Sequence, residues 1–112
     1  MSPITTHVLD TALGQPAAGI QITLEKLNGD NWQTLASGIT NADGRVADLL
    51  AEGSLEPGTY KMTFYTERYC KTAGFDTFYP FVPVVFEVEK TDQHYHVPLL
   101  LSPFGYSTYR GS

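Results

Sequence analysis

A chain of 112 residues is long enough for one hydrophobic core and too short for two, so a single domain over residues 1–112 is expected. Its 42% hydrophobic and 17% charged content separates it from disordered chains. A formal net charge of −5, with only seven Lys and Arg scattered along the chain, argues against nucleic acid and against an anionic membrane surface as partners, since both require a basic face.

In chain order, the first expected strand covers residues 4–9, with Ile4, Thr6 and Val8 on one face and Thr5, His7 and Leu9 on the other. The turn Leu13-Gly14-Gln15-Pro16 follows. Ile20, Ile22 and Leu24 then alternate with Gln21, Thr23 and Glu25, which predicts a strand with one face toward a core. Asn28-Gly29-Asp30-Asn31 marks a reversal into a weaker strand over residues 32–39. Asn41-Ala42-Asp43-Gly44 and Glu56-Pro57-Gly58 are further turns, where Gly and Asn supply positive φ and Pro a fixed φ. Tyr60, Met62 and Phe64 alternate with Lys61, Thr63 and Tyr65, and Val84, Phe86 and Val88 with Val85, Glu87 and Glu89. Between them residues 67–73 read as a short helix ended by Gly74. Two further strand candidates, an apolar one over residues 94–101 and a weaker one over 106–110, complete the set. The pattern predicts an all-β fold, a two-sheet antiparallel β-sandwich with one short helix.

Cys70 is the one cysteine, so no intramolecular disulfide can form, as expected of a small buried hydrophobe in a reducing compartment. Neither a run of ~18 apolar residues nor a signal-peptide pattern after Met1-Ser2-Pro3 is present. A cytoplasmic setting is expected. A processed precursor would read the same, and the closing Arg110-Gly111-Ser112 differs from a Ser-Lys-Leu peroxisomal ending, so periplasm and peroxisome stay open.

The three histidines are the natural candidates for proton transfer near neutrality. His7 faces away from the core set of its strand. His94 and His96 share a face with Pro98 and Leu100, while Tyr95, Val97, Leu99 and Leu101 form the opposite, core-facing set. A sandwich strand that is apolar on both faces implies a second partner, here another subunit, and His96 would then lie in a partly dry interface suited to general-base work. The bland alternative is a pair of surface histidines. A His-x-His at 94–96 could also give two nitrogens to zinc, with the third ligand from His7 or a carboxylate. Arg45, directly after Asp43-Gly44, is either a solvated strand-start residue or a planar fork for a carboxylate or flat anionic heterocycle. The ending Tyr109-Arg110-Gly111-Ser112 suggests a tail held in structure, against the simpler reading of a tidy last strand.

These residues fall in blocks that resemble the 5-hydroxyisourate hydrolases, the enzyme relatives of transthyretin. The blocks are Thr6-His7-Val8-Leu9-Asp10 with Gly14-Gln15-Pro16-Ala17, Thr40-Asn41-Ala42-Asp43-Gly44-Arg45, His94-Tyr95-His96-Val97-Pro98-Leu99-Leu100-Leu101-Ser102-Pro103, and Tyr106-Ser107-Thr108-Tyr109-Arg110-Gly111-Ser112. The first half of the pattern recurs in many prealbumin-like and Cna-B-like modules without enzymatic roles. The His-Tyr-His-Val-Pro block with the Tyr-Arg-Gly-Ser ending is narrower, and transthyretin lacks that ending. The resemblance implies a transthyretin-like (prealbumin-like) sandwich and a homotetramer, a dimer of dimers with active sites in the channel between dimers. It implies hydrolysis of 5-hydroxyisourate in urate degradation without a cofactor. His7, Arg45 and His96 would be catalytic, and Tyr109 and Ser112 would join His7 and Arg45 in binding substrate. The alternatives are a non-enzymatic transthyretin-like binding protein for aromatic small ligands, a monomeric structural module, and a zinc hydrolase.

Overall fold

A computed structural model describes residues 2–111. Nine strands and one helix follow in order: β1 (Ile4–Asp10), β2 (Gln15–Pro16), β3 (Gln21–Asn28), β4 (Asn31–Ile39), β5 (Arg45–Val46), β6 (Gly58–Tyr65), α1 (Glu67–Thr72), β7 (Val82–Val88), β8 (Tyr95–Ser102) and β9 (Gly105–Thr108). One sheet runs β2-β1-β8-β9, with β5 also paired to β1; the other runs β4-β3-β6-β7. The alternation seen in the sequence decides which side chains meet between the sheets. Ile4 and Val8, Ile22 and Leu24, Met62 and Phe64, Val82 and Val88, and Leu99 and Leu101 are all buried there.

The expected two-sheet sandwich is thus present, with its short helix over nearly the expected span and Gly74 beyond it at a φ of +81°. One pairing departs from the antiparallel expectation: β1 and β8 run parallel over seven residue pairs, from Ile4 opposite Tyr95 to Asp10 opposite Leu101. A parallel pair needs a long crossover. Here the crossover includes the whole second sheet, so no local turn signal could announce it. The turn chemistry also differs in one respect. Among the described residues only glycines take positive φ; Asn41 acts through its side chain, accepting hydrogen bonds at Oδ1 from the backbone N–H groups of Asp43 (2.9 Å) and Arg45 (3.0 Å).

The inner face of β1 carries two buried polar residues, both satisfied. Thr6 donates its hydroxyl to the carbonyl of Val97 at 2.6 Å, tying β1 to β8 from within the core. Asp10 accepts at Oδ1 from the backbone N–H groups of Ala12 and Leu13, both at 3.0 Å, and at Oδ2 from the Tyr69 hydroxyl of α1 at 2.6 Å. Burial and this hydrogen bond raise the Tyr69 pKa well above the ordinary phenol value. The helix is therefore fastened to the end of the strand that bears His7.

Candidate active site

The site is set by the neighbours of β1. On one side β8 places His96 opposite Thr5 and Pro98 opposite His7. On the other side β5 places Arg45 opposite His7. Cross-strand partners share a face, and the inward face of β1 belongs to Ile4, Thr6, Val8 and Asp10. His7, Arg45 and His96 therefore meet on the outward face, as the strand reading expected for both histidines. Each histidine is half-buried and Arg45 is exposed.

Arg45 is held there by a turn that only glycine allows. The Gly44 carbonyl accepts from the backbone N–H of Val8 at 2.8 Å, drawing the turn against β1. Gly44 has a φ of +74°, and a Cβ at this position would lie 2.5 Å from the Val8 carbonyl oxygen. With the two Asn41 bonds, this close approach fixes the strand start that carries the guanidinium.

The C-terminal segment closes in from the other side. The Gly111 backbone N–H donates to the His96 carbonyl at 2.8 Å, and a Cβ on Gly111 would lie 2.6 Å from His96 Cδ2. Arg110 lies over the Tyr95 ring, its Cζ 4.4 Å from the centroid, and donates through Nη2 to Gln93 Oε1 at 2.9 Å. Tyr109 is not brought to this groove within its own chain; it lines a separate cleft with Val85, Phe86 and Thr108. Ser112 lies outside the described residues.

Beside His96 and Arg45 lies an open groove of about 240 Å³ lined also by Thr5, Thr6, Val46, Ala47 and His94, while His7 shares the outward face without lining the groove. Its electrostatics favour neutral imidazoles. The His96 pKa is lowered from 6.5 by desolvation first, then by the Arg45 charge, His94 and His7. That of His7 is lowered by desolvation and by Arg45, against a hydrogen bond to the Asp43 backbone that acts the other way. Near neutral pH both rings can therefore accept a proton, while the nearby guanidinium can stabilise a developing oxyanion.

The zinc alternative finds no third ligand. Among the described residues no three His, Cys, Asp or Glu side chains stand where they could hold a metal ion together. Instead the Thr5 hydroxyl sits between the histidines, 2.8 Å from His96 Nδ1 and 2.9 Å from His94 Nε2. Sequence reasoning gave Thr5 no role. Alternation places it on the face of His7, but the parallel register that sets it against His96 is not a local property.

Fold and site together define a transthyretin-like sandwich whose outward face carries His7, Arg45 and His96. Residues 4–111 match the HIUase/Transthyretin family, and the chain belongs to it. It is 53% identical to the 5-hydroxyisourate hydrolase of Mus musculus over 99% of this chain and 96% of that one. Among solved structures it resembles 5-hydroxyisourate hydrolase of Klebsiella pneumoniae, with a TM-score of 0.86 at 37% identity over the whole of both chains. It also resembles sea bream transthyretin in complex with thyroxine, with a TM-score of 0.93 at 31% identity, covering 98% of this chain and 95% of that one. Backbone shape is thus closer to the transthyretin and side-chain identity closer to the hydrolase. The fold is shared by both, so backbone likeness alone does not separate a hydrolase from a transthyretin.

Proposed function

We propose that this protein hydrolyses 5-hydroxyisourate to 2-oxo-4-hydroxy-4-carboxy-5-ureidoimidazoline, a step in urate degradation, with one domain carrying the reaction. The observation that supports this most directly is the convergence of His7, Arg45 and His96 on one outward face, in a chain similar over its length to proteins named for that activity. His7 and His96 hold a water molecule, and a neutral imidazole takes its proton as oxygen attacks the carbonyl carbon of a C–N bond in the six-membered ring. Arg45 faces the oxygen on which negative charge develops. Collapse of the tetrahedral intermediate breaks the C–N bond, and the imidazolium returns its proton to the departing ring nitrogen. Activation comes from the ring itself, and no cofactor takes part in the scheme.

The same reading takes the assembly to be a homotetramer, a dimer of dimers. Several features support contact between copies. Leu9 and Leu100 pair on the outward face beside the site. Both sheets end in edge strands, β7 and β9, that flank one cleft. Phe78 and Phe104, with ring centroids 6.4 Å apart, are both exposed. The groove of about 240 Å³ is also smaller than the roughly 300–1,000 Å³ of closed ligand pockets, as expected if another subunit completes it. Tyr109 and Ser112 then close the pocket, Tyr109 across a subunit contact. A cytoplasmic setting fits the free, buried thiol of Cys70. Among the described residues no helix is long and apolar enough to cross a membrane.

His7→Ala, Arg45→Ala and His96→Ala should each lose most activity while keeping the far-ultraviolet circular dichroism of the fold. Near-normal decay of freshly generated 5-hydroxyisourate in all three would overturn the assignment. An aromatic-ligand carrier of the transthyretin kind would instead bind ligand without accelerating that decay.

A further inference from the structure

On the outward face of β1 one hydroxyl touches two rings: Thr5 Oγ1 lies 2.8 Å from His96 Nδ1 and 2.9 Å from His94 Nε2. A hydroxyl has one proton to give and lone pairs to receive. Where it donates to one ring while accepting from the other, its direction fixes the tautomer of both. With Nδ1 engaged, the ring nitrogen of His96 left for chemistry is Nε2. If Thr5 donates to His96, the ring proton sits on Nε2 and the ring cannot act as a base there. If Thr5 accepts, the proton sits on Nδ1 and Nε2 presents its lone pair.

We infer that Thr5 and His94 form a positioning relay in which His94 Nε2 accepts the Thr5 proton, Thr5 Oγ1 accepts from His96 Nδ1–H, and His96 Nε2 is thereby kept free as the base. The inference rests on the proposed hydrolysis and, of the two imidazoles that hold the water there, assigns the base to His96. It goes further by naming the tautomer and the two residues that impose it.

The relay also answers an electrostatic difficulty in the site. When His96 takes a proton from water it becomes an imidazolium facing the Arg45 guanidinium from β5, with His7 of β1 and the adjacent His94 as its other titratable neighbours. Burial and Arg45 both oppose that charge. Through the Thr5 hydroxyl the Nδ1 proton passes to Oγ1 as the Oγ1 proton passes to His94 Nε2. Each proton moves one place, and the positive charge shifts from half-buried His96 to exposed His94. The two rings suit this exchange, with centroids 6.3 Å apart and planes 26° from parallel. When the leaving ring nitrogen takes the Nε2 proton, the relay runs back and His96 regains Nδ1–H with no net gain or loss.

The test is nitrogen-15 NMR of the histidine rings in the full-length protein, alongside kinetics. Unaltered protein should show His96 protonated at Nδ1 with an acceptor-type Nε2. Thr5→Val, which keeps the branched shape and removes the hydroxyl, should lose that signature. It should lower kcat/KM at least about tenfold, and by no more than the roughly 10²–10⁴ that a positioned base supplies. Thr5→Ser should restore both. In His94→Leu the hydroxyl loses its acceptor and should turn to donate to His96, moving the ring proton toward Nε2. An unchanged His96 signature in Thr5→Val, or a proton on Nε2 in the unaltered protein, overturns the relay whatever the activity. Normal kcat/KM in His96→Ala instead overturns the site reading beneath it.

Discussion

Arg45 has two effects on this site that oppose each other in any simple mutational test. It offers a fork for an oxyanion, and its charge, added to desolvation, holds His7 and His96 below the ordinary imidazole value of 6.5. A base works only when unprotonated, so kcat/KM should be level at neutral pH and fall as pH drops beneath that value. Arg45→Gln removes a positive neighbour, making protonation easier. Its residual activity should therefore show an acid limb displaced to higher pH, beyond a loss of roughly 10²–10³ in rate for the missing oxyanion donor. An acid limb that stays in place would mean that the guanidinium does not reach the bases. Gly111 supplies a second test. A Cβ there would meet His96 Cδ2 at 2.6 Å, so Gly111→Ala should depress kcat more than stability, read by initial rates against urea unfolding. Period-two reading found His7 and His96 and their outward aim, because alternation is local. It gave no account of Thr5 or Gly111, whose contacts with His96 depend on strands brought together from opposite ends of the chain.

At the level of elements, the outward position of Arg45 depends on a five-residue turn, and its strand is only two residues long. So short a strand carries no alternation, which is why β5 and the equally short β2 were not legible, whereas β3, β6 and β7 were. The motif around Asn41 and Gly44 was legible as a turn, but not its attachment to β1 through the Val8 N–H. Gly44→Ala meets both a positive φ and the Val8 carbonyl. It should cost about 1–3 kcal/mol of unfolding free energy and remove activity along with it, since the turn aims Arg45. Urea unfolding checks the first, and a stability loss without an activity loss would separate the turn from the site. The helix anchor gives a contrasting case. Tyr69→Phe leaves Asp10 Oδ2 without the 2.6 Å donor and should cost about 1–3 kcal/mol, with kcat little changed, because α1 touches the end of β1 remote from His96.

For the molecule as a whole the formal charge is −5, and Arg45 is the fixed cation in the lining of the groove beside the histidines, where it offers an electron-rich heterocycle an attractive point. Apolar outward residues on β1 and β8, open edges at β7 and β9, and the exposed pair Phe78 and Phe104 all favour assembly. Light scattering should give four times the 12.4 kDa chain mass; a monomer at working concentration would leave the groove half-built and contradict the assembly. Deleting residues 109–112 removes the Gly111 bridge to His96 and the Arg110–Tyr95 contact, and should cost activity far more than folding. The most direct measurement is the ultraviolet decay of 5-hydroxyisourate generated in place, followed with circular dichroism of the product. Unaltered protein should accelerate the decay strongly and yield one stereoisomer, while His96→Ala should approach the spontaneous rate and a racemate. Decay at the spontaneous rate with the unaltered, assembled protein would contradict the account.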